Sequence, residues 1–151
     1  MQTIPVAILL GAACWGQDDL GTWKMDSARS KFSGDLRPKS LTVRFEAHPK
    51  GELFTVDQVG AAGQATTFSI ILYLDGKNRG LAVSSCSGTQ SSRRVNSRTV
   101  EIVFDCRNGQ STRFIRRLGP QPNELVLDIT GEGPTGPIPN RHLILKKQAG
   151  R

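Results

Sequence analysis

Apolar and polar residues alternate in short runs along most of the chain, and this period of two predicts β-strands. In the run "LTVRFEAH" one face carries Leu41, Val43, Phe45 and Ala47. The run "TVEIVFDC" repeats the pattern, with apolar residues at 100, 102, 104 and 106. Gly, Asn, Asp and Pro interrupt the pattern about every ten residues, and helical periodicity is almost absent. The chain is therefore expected to be all-β.

The turn signals also predict how the strands are connected. Asp75-Gly76 and Asn108-Gly109 are typical of tight hairpins, and we interpret the Ser/Arg-rich residues 86–98 as a link. The remaining runs predict eight or nine antiparallel strands in an up-and-down meander. A sheet with so many strands has to protect its edges, and it does so most simply by closing into a barrel in which the first and last strands meet. A flattened sandwich is the competing architecture.

The N-terminus has a different pattern. Residues 4–13 are apolar, small residues follow, and no charged side chain precedes Asp18. An apolar run of about ten residues is typical of a signal peptide and is too short to span a bilayer. We therefore predict a signal peptide at 1–16 and one barrel domain at 17–151, in a periplasmic or secreted protein. Alternatively, "LGAAC" approximates a lipobox, and a lipidated Cys14 would anchor the protein in a membrane.

Cys86 and Cys106 form an even pair if Cys14 is removed or lipidated. An exported protein permits disulfides, and this one would close a loop of about twenty residues and contribute about 3 kcal/mol. Two unpaired buried thiols are the alternative. Because the chain has neither a Cys-x-x-Cys motif nor a cluster of His with Cys, we expect no metal and no cofactor.

The chain carries a net charge of +7, and arginines account for much of the local clustering. The clustered positions are Arg93, Arg94, Arg98, Arg107, Arg113, Arg116 and Arg117. No aromatic residues alternate with them as stacking platforms, and the protein is expected to be exported, so we do not expect nucleic acid as a partner. A basic face for envelope polyanions or for a partner protein stays open, beside an ordinary solvated surface.

The sequence offers no recognisable catalytic motif. The stretch "SSCSGTQSS" lacks the Gly-x-Ser-x-Gly spacing of a nucleophile elbow, and "GEGPTG" leads into prolines instead of a helix. His48 precedes a proline in a turn, and His142 lies in the last strand as a packing residue. We therefore expect no catalytic residues and a non-enzymatic protein.

Residues 21–23, Gly-Thr-Trp, begin the first strand of the predicted barrel. This segment resembles the Gly-x-Trp motif of the lipocalin (calycin) superfamily. The resemblance implies a lipocalin-like barrel in which Gly21 and Trp23 form a plug at one end, with a late basic residue packed across the indole. The candidate cations are Lys146 and Arg141, which we prefer, and Lys147.

A wider resemblance covers nearly the whole mature chain. The stretches "GTWKMDSARSKFSG" and "KSLTVRFEAHPKGELFTVD" are similar to a group of exported bacterial proteins with lipocalin-like domains. The chain departs from lipocalins of the transport type, because their Thr-Asp-Tyr motif has no clear counterpart and no amphipathic helix follows the last strand.

The leading hypothesis is that the barrel binds a small, partly apolar or amphipathic molecule as a monomer. The candidate binding residues are Phe45, Phe104 and Phe114, together with Arg116, which alternates with Phe114 and so should point inward. An inward arginine needs a partner, and a carboxylate or phosphate of a ligand would supply one. The alternative is a filled barrel that acts as a structural or interaction module through its arginine face.

Overall fold

The computed structural model describes residues 19–33 and 37–149. Within these ranges all regular structure is β, in twelve strands and without any helix. Consequently no helix in the described part of the chain is long and apolar enough to cross a membrane. The predicted signal peptide and Cys14 lie outside the described residues.

The strands are numbered here in chain order. They are β1 (Gly21–Met25), β2 (Lys31–Phe32), β3 (Ser40–His48), β4 (Gly51–Val59), β5 (Ala65–Leu72), β6 (Arg79–Val83), β7 (Cys86–Asn96), β8 (Thr99–Cys106), β9 (Ser111–Leu118), β10 (Glu124–Gly133), β11 (Gly136–Pro137) and β12 (Arg141–Lys147).

Ten of these strands form one continuous antiparallel path, β5-β4-β3-β1-β12-β10-β9-β8-β7-β6. The first and last strands of the chain pair with each other, as the barrel prediction required. The path begins at β5 and ends at β6, so the barrel is nearly closed and its one gap lies between these two strands. Beyond β5 the chain crosses to β7, where the amides of Leu74 and Gly76 donate to the Oγ and backbone oxygen of Ser92, at 3.0 and 2.7 Å. The all-β barrel prediction is confirmed.

The predicted number of strands was too low, mainly because β7 was interpreted as a link. Three inward positions of β7, Cys86, Gln90 and Ser92, are buried although two of them are polar, so its sequence shows no apolar alternation. The other two missed strands, β2 and β11, have two residues each and pair outside the main path.

Alternation along each strand determines which side chains fill the barrel. On β3 the inward residues Leu41, Val43 and Phe45 are buried, while Ala47 at the end of the strand is exposed. The same parity buries the expected apolar residues of β8 and β10. We call the end where β12 finishes the closed end and the end where β12 begins the open end. The two ends differ in what they hold.

Candidate ligand-binding site

A cavity of about 320 Å³ lies inside the barrel at its open end. Its inner wall is apolar and consists of Leu41, Val43, Phe54, Val56, Phe68, Phe114 and Leu127. Its remaining lining residues carry hydroxyl, amide or guanidinium groups, and they form what we call the polar rim: Gln58, Thr66, Thr67, Ser84, Ser85 and Arg141. The four hydroxyl residues are exposed, whereas the apolar wall is buried or half-buried. The cavity is therefore apolar inside and polar at its mouth.

Five phenylalanines form a continuous cluster beneath and around this cavity. Phe45 and Phe54 stack with ring centroids 5.0 Å apart, and Phe104 meets Phe114 edge to face at 5.1 Å. Phe68 connects the two pairs by edge contacts. Aromatic pairs in this range add about 0.5–1.5 kcal/mol each beyond their burial. The cluster gives the cavity a rigid apolar wall.

The three predicted phenylalanine candidates fall into two groups. Phe114 contributes to the cavity wall. Phe45 and Phe104 are buried and pack against the residues that line it, so they support the wall from behind. Phe54 and Phe68, which also line the cavity, were not among the predicted candidates. Their position on the same strand parity as Val56 and Ile70 could have indicated them.

Arg116 points into the barrel and is fully buried. Its Nη1 donates to Glu52 Oε1 at 2.7 Å, and its Nη2 donates to Asp19 Oδ2 at 2.8 Å. Arg94 also donates to Asp19 Oδ2, at 3.1 Å, and the Arg116 guanidinium lies 4.2 Å from the centre of the Phe45 ring. We call Asp19, Glu52, Arg94 and Arg116 the buried ion cluster. The partner that an inward arginine requires is thus supplied by the protein, and Arg116 does not line the cavity.

The closed end is covered by Trp23, which is buried and donates from Nε1 to the backbone oxygen of Asp19 at 3.2 Å. The cation over its ring is Lys147, whose Nζ lies 5.5 Å from the ring centre. Gly21 approaches the same lysine: it has a φ of 123°, and a Cβ there would lie 3.0 Å from Lys147 Cε. Gly21 thus leaves room for the cation.

The preference for Lys146 or Arg141 as this cation was wrong. Trp23 pairs with Lys147 in the β1–β12 register, whereas Lys146 pairs with Lys24 and its side chain points to the other face. Arg141 has the correct parity but lies six residues earlier on β12, about 20 Å along the strand. It belongs to the open end.

Arg141 is half-buried in the polar rim, on the same face of β12 as Leu143 and Leu145. Its burial lowers the pKa of the guanidinium, because desolvation disfavours the charged form. Within residues 19–33 and 37–149 no carboxylate lies within ion-pair distance of it. A buried arginine normally has an anionic partner. Since Arg141 has none among the described residues, its charge is available to an anionic ligand.

The predicted disulfide between Cys86 and Cys106 is present, with the two sulfurs 2.04 Å apart. It joins the start of β7 to the end of β8. The turn from β6 to β7 consists of Ser84 and Ser85, both members of the polar rim. The disulfide therefore holds one side of the mouth in place.

Three of the outward arginines that the sequence grouped into a basic face, Arg93, Arg113 and Arg117, form ion pairs across strands. Glu101 accepts from Arg93 Nε at 2.8 Å and from Arg113 Nε at 2.5 Å, and Arg117 donates to Asp128 at 2.6 Å. These contacts neutralise part of the expected positive surface. In the described part of the chain no three His, Cys, Asp or Glu side chains are grouped to hold a metal.

The described residues thus form a nearly closed antiparallel β-barrel with a cavity at one end. Solved structures share this fold at low sequence identity. A Schistosoma mansoni fatty acid binding protein in complex with arachidonic acid has 9% identity and a TM-score of 0.52, over 86% of this chain and 96% of that one. Zebrafish ileal bile acid-binding protein complexed with cholic acid has 14% identity and a TM-score of 0.54, over 85% and 98%.

Apo Caenorhabditis elegans lipid binding protein 8 matches with 12% identity and a TM-score of 0.57, covering 87% of this chain and 96% of that chain. No protein-family model matches the sequence, and no curated protein matches it. The likeness is therefore one of fold.

Proposed function

We propose that this protein is an exported, non-enzymatic binding protein that holds a small, largely apolar molecule in the cavity at the open end. The observation that carries the proposal is the cavity of about 320 Å³ with its wall of phenylalanine and aliphatic side chains. Sites for small molecules are typically concave and mostly apolar, with a few polar groups that orient the ligand.

The named functions of the similar structures support this proposal, because the three proteins bind a fatty acid, a bile acid or lipid. Export rests on the N-terminal sequence, and the Cys86–Cys106 disulfide supports it, since disulfides persist mainly in oxidising compartments. Because one chain forms the barrel and its hydrophobic core by itself, we expect the protein to act as a monomer.

The proposal is tested by blocking the cavity. Val56 lines the apolar wall, and Val56→Trp would fill much of the space with an indole. Val95 is an exposed apolar residue outside the cavity, so Val95→Trp introduces the same side chain without blocking anything. Binding is measured by titration with the neutral fluorescent probe N-phenyl-1-naphthylamine, and folding by circular dichroism.

We expect the wild type and Val95→Trp to bind the probe within about twofold of each other, and folded Val56→Trp to bind at least tenfold more weakly, because overpacking leaves no room for the probe. Equal binding by the two variants would place the probe elsewhere. If the wild type binds neither this probe nor a panel of aliphatic alcohols and esters, the proposed function is wrong.

A further inference from the structure

We propose that the ligand is a monoanionic amphiphile whose charged headgroup stays at the mouth on Arg141 while its apolar tail points inward onto the phenylalanines. This inference rests on the proposed function and deepens it, because it assigns the ligand a chemical class and an orientation. It follows from the unequal distribution of polar groups along the inside of the barrel.

The mouth provides what an anionic headgroup needs. Arg141 contributes the one guanidinium among the described residues that line the cavity. The hydroxyl groups of Thr66, Ser84 and Ser85 and the amide of Gln58 supply further polar groups of the rim, whereas the Thr67 hydroxyl already donates to Asp57 Oδ1 at 2.6 Å. A guanidinium donates two parallel hydrogen bonds to a carboxylate or phosphate, and hydroxyl and amide donors satisfy the remaining lone pairs.

In the part of the chain that the structure describes, the inner end of the cavity has no polar side chain in its lining that could bind an anion. Its wall consists of aliphatic and aromatic side chains, and the nearest charges beyond Phe45 belong to the buried ion cluster. There two carboxylates, Asp19 and Glu52, already balance Arg116 and Arg94. A headgroup placed deep in the barrel would lose its hydration without gaining an uncommitted cation, which is unfavourable.

The volume sets the size of the tail. At about 30 Å³ for each water-sized group, 320 Å³ holds about ten such groups. A chain of ten carbons is therefore a suitable probe. Decanoate and decan-1-ol have the same tail and differ at neutral pH by one negative charge, so their affinities separate the headgroup contribution from the tail contribution.

The first experiment measures both affinities by calorimetry or probe displacement for the wild type, Arg141→Gln and Arg113→Gln. We expect the wild type to prefer decanoate. In Arg141→Gln decanoate should bind about tenfold to hundredfold more weakly, the usual effect of losing a hydrogen bond to a charged group, while decan-1-ol stays within about threefold. Retained decan-1-ol binding also shows that the variant is folded. Arg113, an exposed arginine paired with Glu101, is the control and should change neither affinity.

The second experiment tests the orientation with 10-hydroxydecanoate, which carries a hydroxyl at the tail end. If the tail points inward, this hydroxyl is buried among phenylalanines, and binding should be about tenfold weaker than that of decanoate. Equal affinities would mean that the headgroup enters first, which overturns the proposed orientation.

The two proposals fail in distinguishable ways. If the wild type binds neither decanoate nor decan-1-ol nor the neutral probe, the proposed function itself fails. If it binds decanoate and decan-1-ol equally, or if Arg141→Gln weakens both to the same extent, a ligand site exists but Arg141 does not select an anion. If Arg113→Gln also reduces the preference for decanoate over decan-1-ol, the preference comes from the overall charge of the protein and not from Arg141.

Discussion

The two ends of β12 carry cations on the same face of the strand, yet their surroundings give them different roles. At the closed end Lys147 lies over Trp23, and the neighbouring charges form the buried ion cluster. At the open end Arg141 faces a cavity and, among the described residues, no carboxylate. The charges of the buried ion cluster are paired within the protein, and we expect them to stabilise the fold. The charge at the open end is available to a ligand.

This difference implies that changes at the closed end reduce the stability of the fold, whereas changes at the open end reduce affinity for a ligand. The boundary between the two regions is the phenylalanine cluster, since Phe45 contacts Arg116 on one side and Phe54 on the other.

Arg116→Ala should cause the largest loss of stability. Removing one partner of a buried ion pair costs about 3–5 kcal/mol because it leaves an uncompensated charge. We expect the upper part of this range, since Glu52 and Asp19 both lose a partner. The free energy of unfolding is measured by urea denaturation. Arg117→Ala, in the adjacent exposed pair with Asp128, is the control and should cost less than about 1 kcal/mol. Similar losses in the two variants would mean that the buried ion cluster does not stabilise the fold.

Trp23→Ala should reduce the free energy of unfolding by about 3–4 kcal/mol, in the lower part of the usual range for tryptophan. The loss is moderated because Trp23 borders a surface groove, so water can enter the space it vacates. The folded variant should bind N-phenyl-1-naphthylamine within about threefold of the wild type. Lys147→Gln removes only the cation and should cost less than about 1 kcal/mol. A variant that keeps its stability but loses binding would contradict the assignment of Trp23 as a plug.

The sequence was sufficient to predict the architecture because the inward residues of most strands are apolar and alternate strictly. The parity of Arg116 followed from the same reasoning, whereas the Cys86–Cys106 pair followed from the number of cysteines and the predicted export. β7 escaped detection because its buried positions include Gln90 and Ser92. The alternation of apolar and polar residues cannot identify a polar residue that points inward. The pairing register of β7 with β8 is needed to show it.

The candidate site was less predictable than the fold. Choosing Lys147 over Lys146 requires the pairing of β1 with β12, which is a contact between the two ends of the chain. The polar rim combines Gln58, the start of β5 and the β6–β7 turn, which become neighbours only when the barrel closes. That Glu52 and Asp19, and not a ligand, balance Arg116 is likewise a property of the assembled barrel.

The disulfide allows the open end to be tested for a combined effect. The double variant Cys86→Ser/Cys106→Ser should lose about 3 kcal/mol of unfolding free energy, as expected for a cross-link that spans twenty residues. It should also bind the neutral probe more weakly, because Ser84 and Ser85 at the mouth are no longer held to β8. Urea denaturation and probe titration give the two results. Unchanged affinity in the folded variant would show that the disulfide only stabilises the fold.

The smallest expected effect concerns the outer surface, where Glu101 pairs with two arginines that are exposed to water. Hydrogen bonds from Arg113 and then from Arg93 hold the pKa of Glu101 below its ordinary value, although partial burial opposes them. A carboxyl whose pKa is lowered by folding stabilises the protein above its unfolded pKa, and this contribution is lost as the pH falls below about 4.

Glu101→Gln should therefore reduce the unfolding free energy at pH 7 by less than about 1 kcal/mol, because both arginines are more than half exposed and solvent screens the pair. The difference between variant and wild type should shrink as the pH is lowered from 5 to 3, which urea denaturation at several pH values would measure. A loss as large as that of Arg116→Ala would contradict the distinction between buried and exposed ion pairs. Both sites pair arginine with a carboxylate, but Arg116 is buried, whereas Arg93 and Arg113 are more than half exposed.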